Sequence, residues 1–200
     1  MIGPYRSGTS LITSMIASMG ASLGYGAIMP GDAEQEYYEN MMLSRIQNRF
    51  LESFGGSWAA PVLPHGWQFS QPALLAKEAI KRTLEKDYPV EEGGPYVLKS
   101  TIACILKPLW PKDMFVVKVA RSQWEQIESL QKAYGLTPFH AMEVVNTYAT
   151  GLAQWGGDWQ VVIRDAWNPT KMAALQGVLG LGVPNMILPR KRQLHFGPTP

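Results

Sequence analysis

A loop bounded by two glycines and followed at once by an apolar helical pattern constrains this chain most. The glycine loop, residues 3–10, reads Gly3-Pro4-Tyr5-Arg6-Ser7-Gly8-Thr9-Ser10. Beyond it, apolar residues recur at helical spacing and predict a helix over residues 10–20. The backbone N–H groups of such a loop, together with the positive end of the helix, form an anion site. The sequence therefore predicts a phosphate-binding loop at its beginning.

The residue after the second glycine separates this loop from those of nucleoside triphosphatases. Those loops continue with Lys and then Ser or Thr, and the lysine contacts the nucleotide phosphates. Here Thr9 stands at the lysine position, and the cation of the loop is Arg6. We therefore expect a phosphate-like ligand, but not ordinary magnesium-dependent ATP chemistry.

Strand-like and helical segments alternate along the chain. Strands are predicted over residues 96–99, 114–119 and 160–164, and the further helices over residues 34–54, 72–86, 122–134, 138–155 and 170–179. This alternation predicts one α/β domain over residues 1–200 with a parallel sheet. Only Met1 and Ile2 precede the loop, so the first strand is either short or incomplete in this sequence.

Three basic residues follow the predicted strands, and ligands of parallel sheets collect at the carboxyl ends of the strands. Arg6 follows the first strand, Lys99 ends another and Arg121 lies just past a third. Ser129 lies eight residues after Arg121 on the following helix. A guanidinium fork and a hydroxyl at these positions can face one anion from two sides.

The composition narrows the class of protein. Of the 200 residues, 46% are hydrophobic and 17% charged, as in folded single domains. A net charge of +2 gives no reason to expect a nucleic-acid partner. The single Cys104 excludes an intrachain disulfide and a cysteine-built metal site. No apolar run approaches the roughly 20 residues that span a bilayer, and no secretory signal is readable, so we expect a cytoplasmic protein.

Several segments, in chain order, resemble the sulfotransferase family. The glycine loop is similar to the family's 5′-phosphosulfate loop, usually Pro, a basic residue, Ser, Gly, Thr and Ser or Thr. Arg121 with Ser129 resembles its 3′-phosphate signature. Residues 37–40, Tyr-Tyr-Glu-Asn, are similar to an aromatic-Glu-Asn/Asp segment of bacterial members, and residues 161–165 resemble a late strand. The resemblance covers nearly the whole chain.

The sequence departs from the family pattern at four places. The loop has Tyr5-Arg6 where the family often has Tyr-Pro or Pro-Arg, and Lys99-Ser100-Thr101 stands where Lys-Asp-Pro is frequent. Ser122-Gln123 follows Arg121 in place of Asp-Pro or Asp-Gly. The glycine-rich basic loop near the C-terminus is not evident, and residues 190–192 (Arg-Lys-Arg) are a candidate substitute.

The resemblance implies a three-layer α/β/α fold with a central parallel sheet, of the P-loop nucleoside triphosphate hydrolase-like, sulfotransferase type. It also implies transfer of a sulfuryl group from 3′-phosphoadenosine-5′-phosphosulfate, without a metal, to a hydroxyl or amine of a small-molecule or glycan acceptor. The product would be adenosine 3′,5′-bisphosphate. Residues 25–72 would select the acceptor, with Trp58 and Trp67 as candidate lining residues.

Each candidate site residue receives a role from this resemblance. Arg6 would stabilise charge on the bridging oxygen, residues 7–10 (Ser7, Gly8, Thr9 and Ser10) would hold the 5′-phosphate, and Lys99 would contact the sulfonate. Arg121 and Ser129 would bind the 3′-phosphate. Glu39 is the first candidate for the base that takes the acceptor's proton, and Glu36 and His65 compete with it. A non-catalytic anion-binding member of the fold and a P-loop small-molecule kinase are the alternative functions.

Overall fold

The computed structural model describes residues 1–30, 37–89 and 95–181. The helices are α1 (Thr9–Ser18), α2 (Met41–Glu52), α3 (Gln71–Asp87), α4 (Gln123–Tyr134), α5 (Pro138–Ala153) and α6 (Pro169–Val178). The strands are β1 (Val117–Ala120) and β2 (Trp159–Val162), and short 3₁₀ turns cover Trp67–Phe69, Ile102–Ile105, Lys107–Leu109 and Ile163–Trp167. The chain is thus a mixed helix and strand protein, as the sequence predicts.

A small parallel sheet is formed by β1 and β2, which pair from Val117 with Trp159 to Ala120 with Val162. Isolated parallel bridges extend the same arrangement on the other side of β1. Ile2 bridges Lys118, and the Met1 carbonyl accepts from Ser100 N at 3.1 Å. The start of the chain therefore lies between β1 and the segment that ends at Lys99.

Two clusters of buried apolar side chains hold the elements together. The first joins α1 and α6 to both strands, and its members include Ile12, Met15, Val119, Val161 and Leu175. The second joins α2, α3, α4 and α5 to the 3₁₀ turns, and its members include Leu51, Ile80, Leu106, Leu130 and Tyr148. The alternating burial of β1 follows from its Val-Lys-Val-Ala sequence, which turns both valines into the first cluster.

Several predicted boundaries differ from those in the structure. The helix expected over residues 34–54 begins only at Met41, because Tyr38 has a φ of 55° and Asn40 caps the helix; residues 34–36 lie outside the described residues. The segment 96–99 forms isolated bridges at Tyr96 and Lys99 rather than a strand.

The two longer strand predictions differ from the structure by one residue at one end and by two or three residues at the other. β1 begins at Val117 rather than at residue 114, because the N–H of Val116 donates to the Asp158 carboxylate at 2.6 Å instead of to a strand. β2 stops at Val162, since Ile163 begins a 3₁₀ turn. Within the described ranges, no helix combines the length and the apolar composition that crossing a membrane requires.

Candidate functional site

The glycine loop leaves the edge of β1 and opens into α1. Ile2 N donates to Val117 O at 3.0 Å, and Val119 N donates to Ile2 O at 2.9 Å. Gly8 precedes α1 with a φ of 92°, and a Cβ at this position would lie 2.2 Å from Ile163 Cδ1. Glycine alone tolerates this combination of positive φ and close approach. The predicted loop-to-helix transition is therefore confirmed.

The N-terminus of α1 retains the hydrogen-bond donors that an anion needs. Among the described residues, no side chain caps this end, and the first turn contains no acidic residue. The first N–H groups of a helix have no intrahelical acceptor, and the helix dipole makes this end positive. Ser7 is fully buried beneath the loop, and its hydroxyl has no partner among the described residues.

A cavity of about 1010 Å³ opens where α1 begins, which is large enough for a nucleotide. It has walls from the glycine loop, α2 and α4, and it includes side chains from the segments before α2 and after Tyr96. Eight of the sequence-predicted site residues line it: Arg6, Gly8, Thr9, Ser10, Glu39, Lys99, Arg121 and Ser129.

Lys99 is a buried cation at one end of this cavity, with 5% of its surface exposed. Its ammonium donates to Tyr37 O at 2.7 Å and to Ser10 Oγ at 3.1 Å, and it pairs with Glu39 Oε1 at 3.2 Å. These acceptors match the three N–H donors of a lysine. Burial lowers the pKa of Lys99, and the charge of the Glu39 carboxylate opposes this shift.

Glu39 accepts hydrogen bonds on both carboxylate oxygens. Thr101 Oγ1 donates to Oε1 at 3.0 Å, beside Lys99, and Ser44 Oγ donates to Oε2 at 3.2 Å. A parallel bridge between Glu39 and Lys99 explains their contact, because bridged residues are cross-strand neighbours. Sequence reasoning missed Ser44 and Thr101, although both lie a few residues from a predicted site residue.

Asn40, next to Glu39 in the chain, stabilises the local structure around the Lys99–Glu39 pair. Its side-chain oxygen accepts from Met42 N and Leu43 N, both at 3.0 Å, and so caps α2. Its amide donates to Asp87 Oδ2 at 2.8 Å, at the end of α3. Asn40 therefore fixes the start of α2 and, one residue earlier in the chain, the position of Glu39.

Arg6, Arg121 and Ser129 meet at another part of the cavity. Arg6 Nε donates to Ser129 Oγ at 2.8 Å, and Arg121 Nη1 donates to the Arg6 carbonyl at 3.2 Å. Arg6 has a φ of 62°, which is uncommon for a residue with a side chain. The structure thus brings together the predicted Arg121 and Ser129 and adds Arg6 to them.

Glu125 is an acidic neighbour that sequence reasoning missed. Its carboxylate pairs with Arg121 Nε at 3.5 Å and with Arg164 Nη2 at 3.8 Å. The signal was available, because Arg121 and Glu125 have the i,i+4 spacing of ion pairs. Glu128 and Lys132, also on α4, line the same part of the cavity.

An aromatic cluster forms a further wall of the cavity. The Tyr5 ring lies 4.6 Å from the Trp58 ring and 5.0 Å from the Tyr148 ring, and Trp58 lies 5.0 Å from Tyr134. The Tyr148 hydroxyl donates to the Trp58 carbonyl at 2.9 Å. Burial raises the pKa of Tyr5 well above its ordinary value. The loop after α2 is thereby held against the glycine loop.

The remaining predicted candidates lie elsewhere. His65 is exposed and does not line the cavity. Trp67 packs on Phe50, with 5.3 Å between the rings, so it contributes to the core and not to the cavity wall. Glu36 and residues 190–192 lie outside the described residues. Among the described side chains, no group of His, Cys, Asp and Glu could hold a metal ion.

No protein-family model, curated protein or solved structure matches this chain. The side chains and backbone groups of the site therefore indicate what it can bind. One end offers free helix N–H donors, a buried ammonium and a carboxylate, and the other offers two guanidinium groups and a hydroxyl. Such a cavity can bind an anion with two separated charged groups and can accept a proton on Glu39.

Proposed function

We propose that this protein is a sulfotransferase that uses 3′-phosphoadenosine-5′-phosphosulfate as donor, on a three-layer α/β/α fold of the P-loop, sulfotransferase type. The parallel bridge of Ile2 to Lys118 on one side, and the hydrogen bonds of Met1 with Leu98 O and Ser100 N on the other, support the central parallel sheet of this proposal. One observation carries the function: the uncapped end of α1, Lys99 and the Arg6–Arg121–Ser129 cluster all border one cavity. A cytoplasmic location and a small-molecule or glycan acceptor belong to the same proposal.

The donor set of the cavity fits such a ligand. The N–H groups at the start of α1 and the hydroxyls of Thr9 and Ser10 suit a 5′-phosphate, because helix N-termini bind phosphates without a metal. Lys99 Nζ lies 3.1 Å from Ser10 Oγ, and its ammonium can donate a hydrogen bond to the adjoining sulfonate. The guanidinium groups of Arg6 and Arg121 suit a second phosphate.

When bound, the donor supplies the sulfuryl group: its S–O bond to the 5′-phosphate breaks, the bridging oxygen keeps the electron pair, and sulfur forms a new bond to the hydroxyl oxygen or amine nitrogen of the acceptor. Lys99 and the N–H groups of α1 offset the negative charge that grows on that side of the cavity. Glu39 takes the proton of the acceptor on Oε2, whose one hydrogen-bond donor among the described residues is Ser44.

A thermal-shift titration with adenosine 3′,5′-bisphosphate in EDTA tests the proposal. At about 100 times the dissociation constant the ligand adds about 2.7 kcal/mol. For a chain of this size that raises Tm by about 5–10 °C. Lys99→Met should reduce the shift, whereas Lys77→Met, at an exposed position on α3, should not. An unchanged Tm at millimolar ligand rejects the function, and a shift only with ATP and magnesium favours a P-loop kinase.

One observation favours a second candidate, a non-catalytic anion-binding protein. All three donors of Lys99 and both oxygens of Glu39 already have partners within the protein. Turnover would require at least one of these hydrogen bonds to be exchanged for a substrate contact. Transfer of radioactive sulfate from the donor to a panel of alcohols, phenols, amines and sugars separates the candidates. Tight bisphosphate binding without transfer to any acceptor would favour the second.

A further inference from the structure

Arg6 and Lys99 have hydrogen-bonding partners on different helices that border the cavity. Lys99 contacts Ser10 at the start of α1, whereas Arg6 reaches α4 and donates to Ser129 Oγ at 2.8 Å. The two cations therefore do not share one hydrogen-bonding partner. They are still near enough to interact, because burial and, to a smaller extent, the charge of Arg6 lower the pKa of Lys99.

The backbone of Arg6 is held in place from outside the loop. Its φ of 62° costs about 1–2 kcal/mol for a residue with a Cβ. From outside the loop, Arg121 Nη1 donates to its carbonyl at 3.2 Å. Within the loop, Ser7 N donates to Pro4 O at 3.1 Å and closes the turn that contains Arg6. These contacts maintain the strained conformation and with it the direction in which the side chain leaves the loop.

Unused donors converge where Arg6 meets α4. Arg6 uses only Nε on Ser129, so the terminal nitrogens of its guanidinium have no acceptor among the described residues. Arg121 uses Nη1 and Nε, which leaves Nη2. The Ser129 hydroxyl accepts from Arg6 and keeps its own proton to donate. Three side chains thus offer donors to the three terminal oxygens of a phosphate monoester.

The charges around this part of the cavity indicate that Arg6 contributes most to binding a phosphate there. Glu125 pairs with Arg121 at 3.5 Å and offsets its charge, while Arg164 at 3.8 Å is mostly exposed. Glu128 and Lys132 add one carboxylate and one ammonium to this wall, so together they leave its net charge unchanged. Among the arginines that border the cavity, Arg6 is therefore the one whose charge no described carboxylate offsets. A phosphate with about two negative charges would depend on it.

From this geometry we infer that Arg6 recognises the 3′-phosphate of the donor and distinguishes it from a nucleotide that carries a 5′-phosphate only. This inference rests on the proposed function. It removes Arg6 from the bridging oxygen, where sequence resemblance placed it, and leaves that position to Lys99 and the N-terminus of α1. It also supplies a basic contact in a sequence without an evident glycine-rich basic loop near its C-terminus.

Calorimetric titrations with adenosine 3′,5′-bisphosphate and adenosine 5′-monophosphate test this assignment. The wild-type chain should prefer the bisphosphate by about 10- to 100-fold, the range of hydrogen bonds between charged groups. Arg6→Met should remove most of this preference, because the bisphosphate loses affinity while the monophosphate changes by less than about threefold. Arg45→Met is the matched control, since Arg45 is exposed on α2 and does not line the cavity.

Ser129→Ala keeps the test valid if Arg6→Met fails to fold. It leaves the glycine loop intact and should lower bisphosphate affinity by about 3- to 10-fold, the value of one hydrogen bond, without affecting the monophosphate. If Arg6→Met loses affinity for both nucleotides equally, the inference is overturned, and Arg6 is then assigned to the 5′-phosphate. A preference that survives in both variants also overturns it, while donor binding and transfer by the wild type would still uphold the proposed function. If the wild type binds neither nucleotide, the proposed function itself fails, and this inference fails with it.

Discussion

Replacing Glu39 by glutamine measures how much the charge of the buried Lys99–Glu39 ion pair contributes to the free energy of unfolding. Glu39→Gln keeps the size of the side chain and one oxygen that can accept from Thr101, but it removes the charge that faces Lys99 at 3.2 Å. Lys99 is 5% exposed and would stay buried with only Ser10 and Tyr37 O as partners. Removing one partner of a buried ion pair costs about 3–5 kcal/mol. Because an acceptor remains in glutamine, we expect about 3 kcal/mol.

Urea unfolding monitored by circular dichroism measures this loss, and Tm should fall by about 6–12 °C for a domain of this size. The matched control is Glu78→Gln on α3, whose carboxylate pairs with Arg82 at 2.8 Å but on the surface. An exposed pair of this kind contributes about 0–1 kcal/mol. Equal losses in the two variants would refute the reasoning. Adding Lys99→Met to Glu39→Gln should restore part of the stability, because no unpaired charge then remains.

The pH dependence of the same variant provides a second criterion. Burial lowers the pKa of Lys99 below the ordinary value of 10.5, and Glu39 opposes this shift. Between the folded and unfolded pKa the unfolded chain binds more protons, so stability rises with pH there. Without Glu39 the folded pKa falls further and this window extends to lower pH. The loss of unfolding free energy in Glu39→Gln, relative to the wild type, should therefore become smaller as pH rises toward 10.5. A loss that does not depend on pH would contradict the proposed charge effect.

Three further substitutions or probes test other parts of the structure. Asn40→Ala should lower the free energy of unfolding by about 2–4 kcal/mol, because α2 loses its cap and the buried Asp87 loses a donor. Cys104 should react with a thiol reagent at pH 8 only after denaturation, since burial raises its pKa to about 12. Gly8→Ala should destabilise the chain and abolish bisphosphate binding, because its Cβ would lie 2.2 Å from Ile163.

Two of these three predictions have a matched control. Asn168 caps α6 through Thr170 N and Lys171 N, so Asn168→Ala should cost only about 1 kcal/mol. Gly20 has a φ of 105° with open space around its Cβ position, so Gly20→Ala should share the backbone strain of Gly8→Ala but retain ligand binding. Rapid labelling of Cys104 in the native chain would show that its surroundings open easily. Loss of binding in Gly20→Ala would show that the effect at Gly8 is not local.

The glycine loop could be predicted because its signals are local in sequence. The glycine spacing and the apolar periodicity of α1 lie within 20 residues, and they required no knowledge of the rest of the chain. The extended residues before α2 could not be predicted in this way. Tyr38 adopts a left-handed φ, and Asn40 caps the helix while holding Asp87. A tertiary contact therefore ended a segment whose own pattern favours helix.

The contacts of the candidate site required the tertiary structure for the same reason. Lys99 and Glu39 meet because a parallel bridge joins two segments that are distant in sequence. The contact between Arg6 and Ser129 depends on where α4 packs relative to the loop. The types of these residues indicated an anion site, but only the packing decides which cation serves which end of the cavity.

The contacts of Tyr5 help to determine the direction of the Arg6 side chain. A proline at this position would leave the space between Trp58 and Tyr148 unfilled, whereas the Tyr5 ring lies within 5.0 Å of both rings. The aromatic contact anchors the loop one residue before Arg6, and Arg121 anchors the carbonyl of Arg6 itself. With its backbone fixed on both sides, Arg6 is directed to α4 and not to the start of α1. The aromatic contacts of Tyr5 and the proposed assignment of Arg6 to the second phosphate are therefore connected. Tyr5→Pro should loosen the Trp58 wall and weaken the preference for the bisphosphate together, because both depend on the same anchored turn.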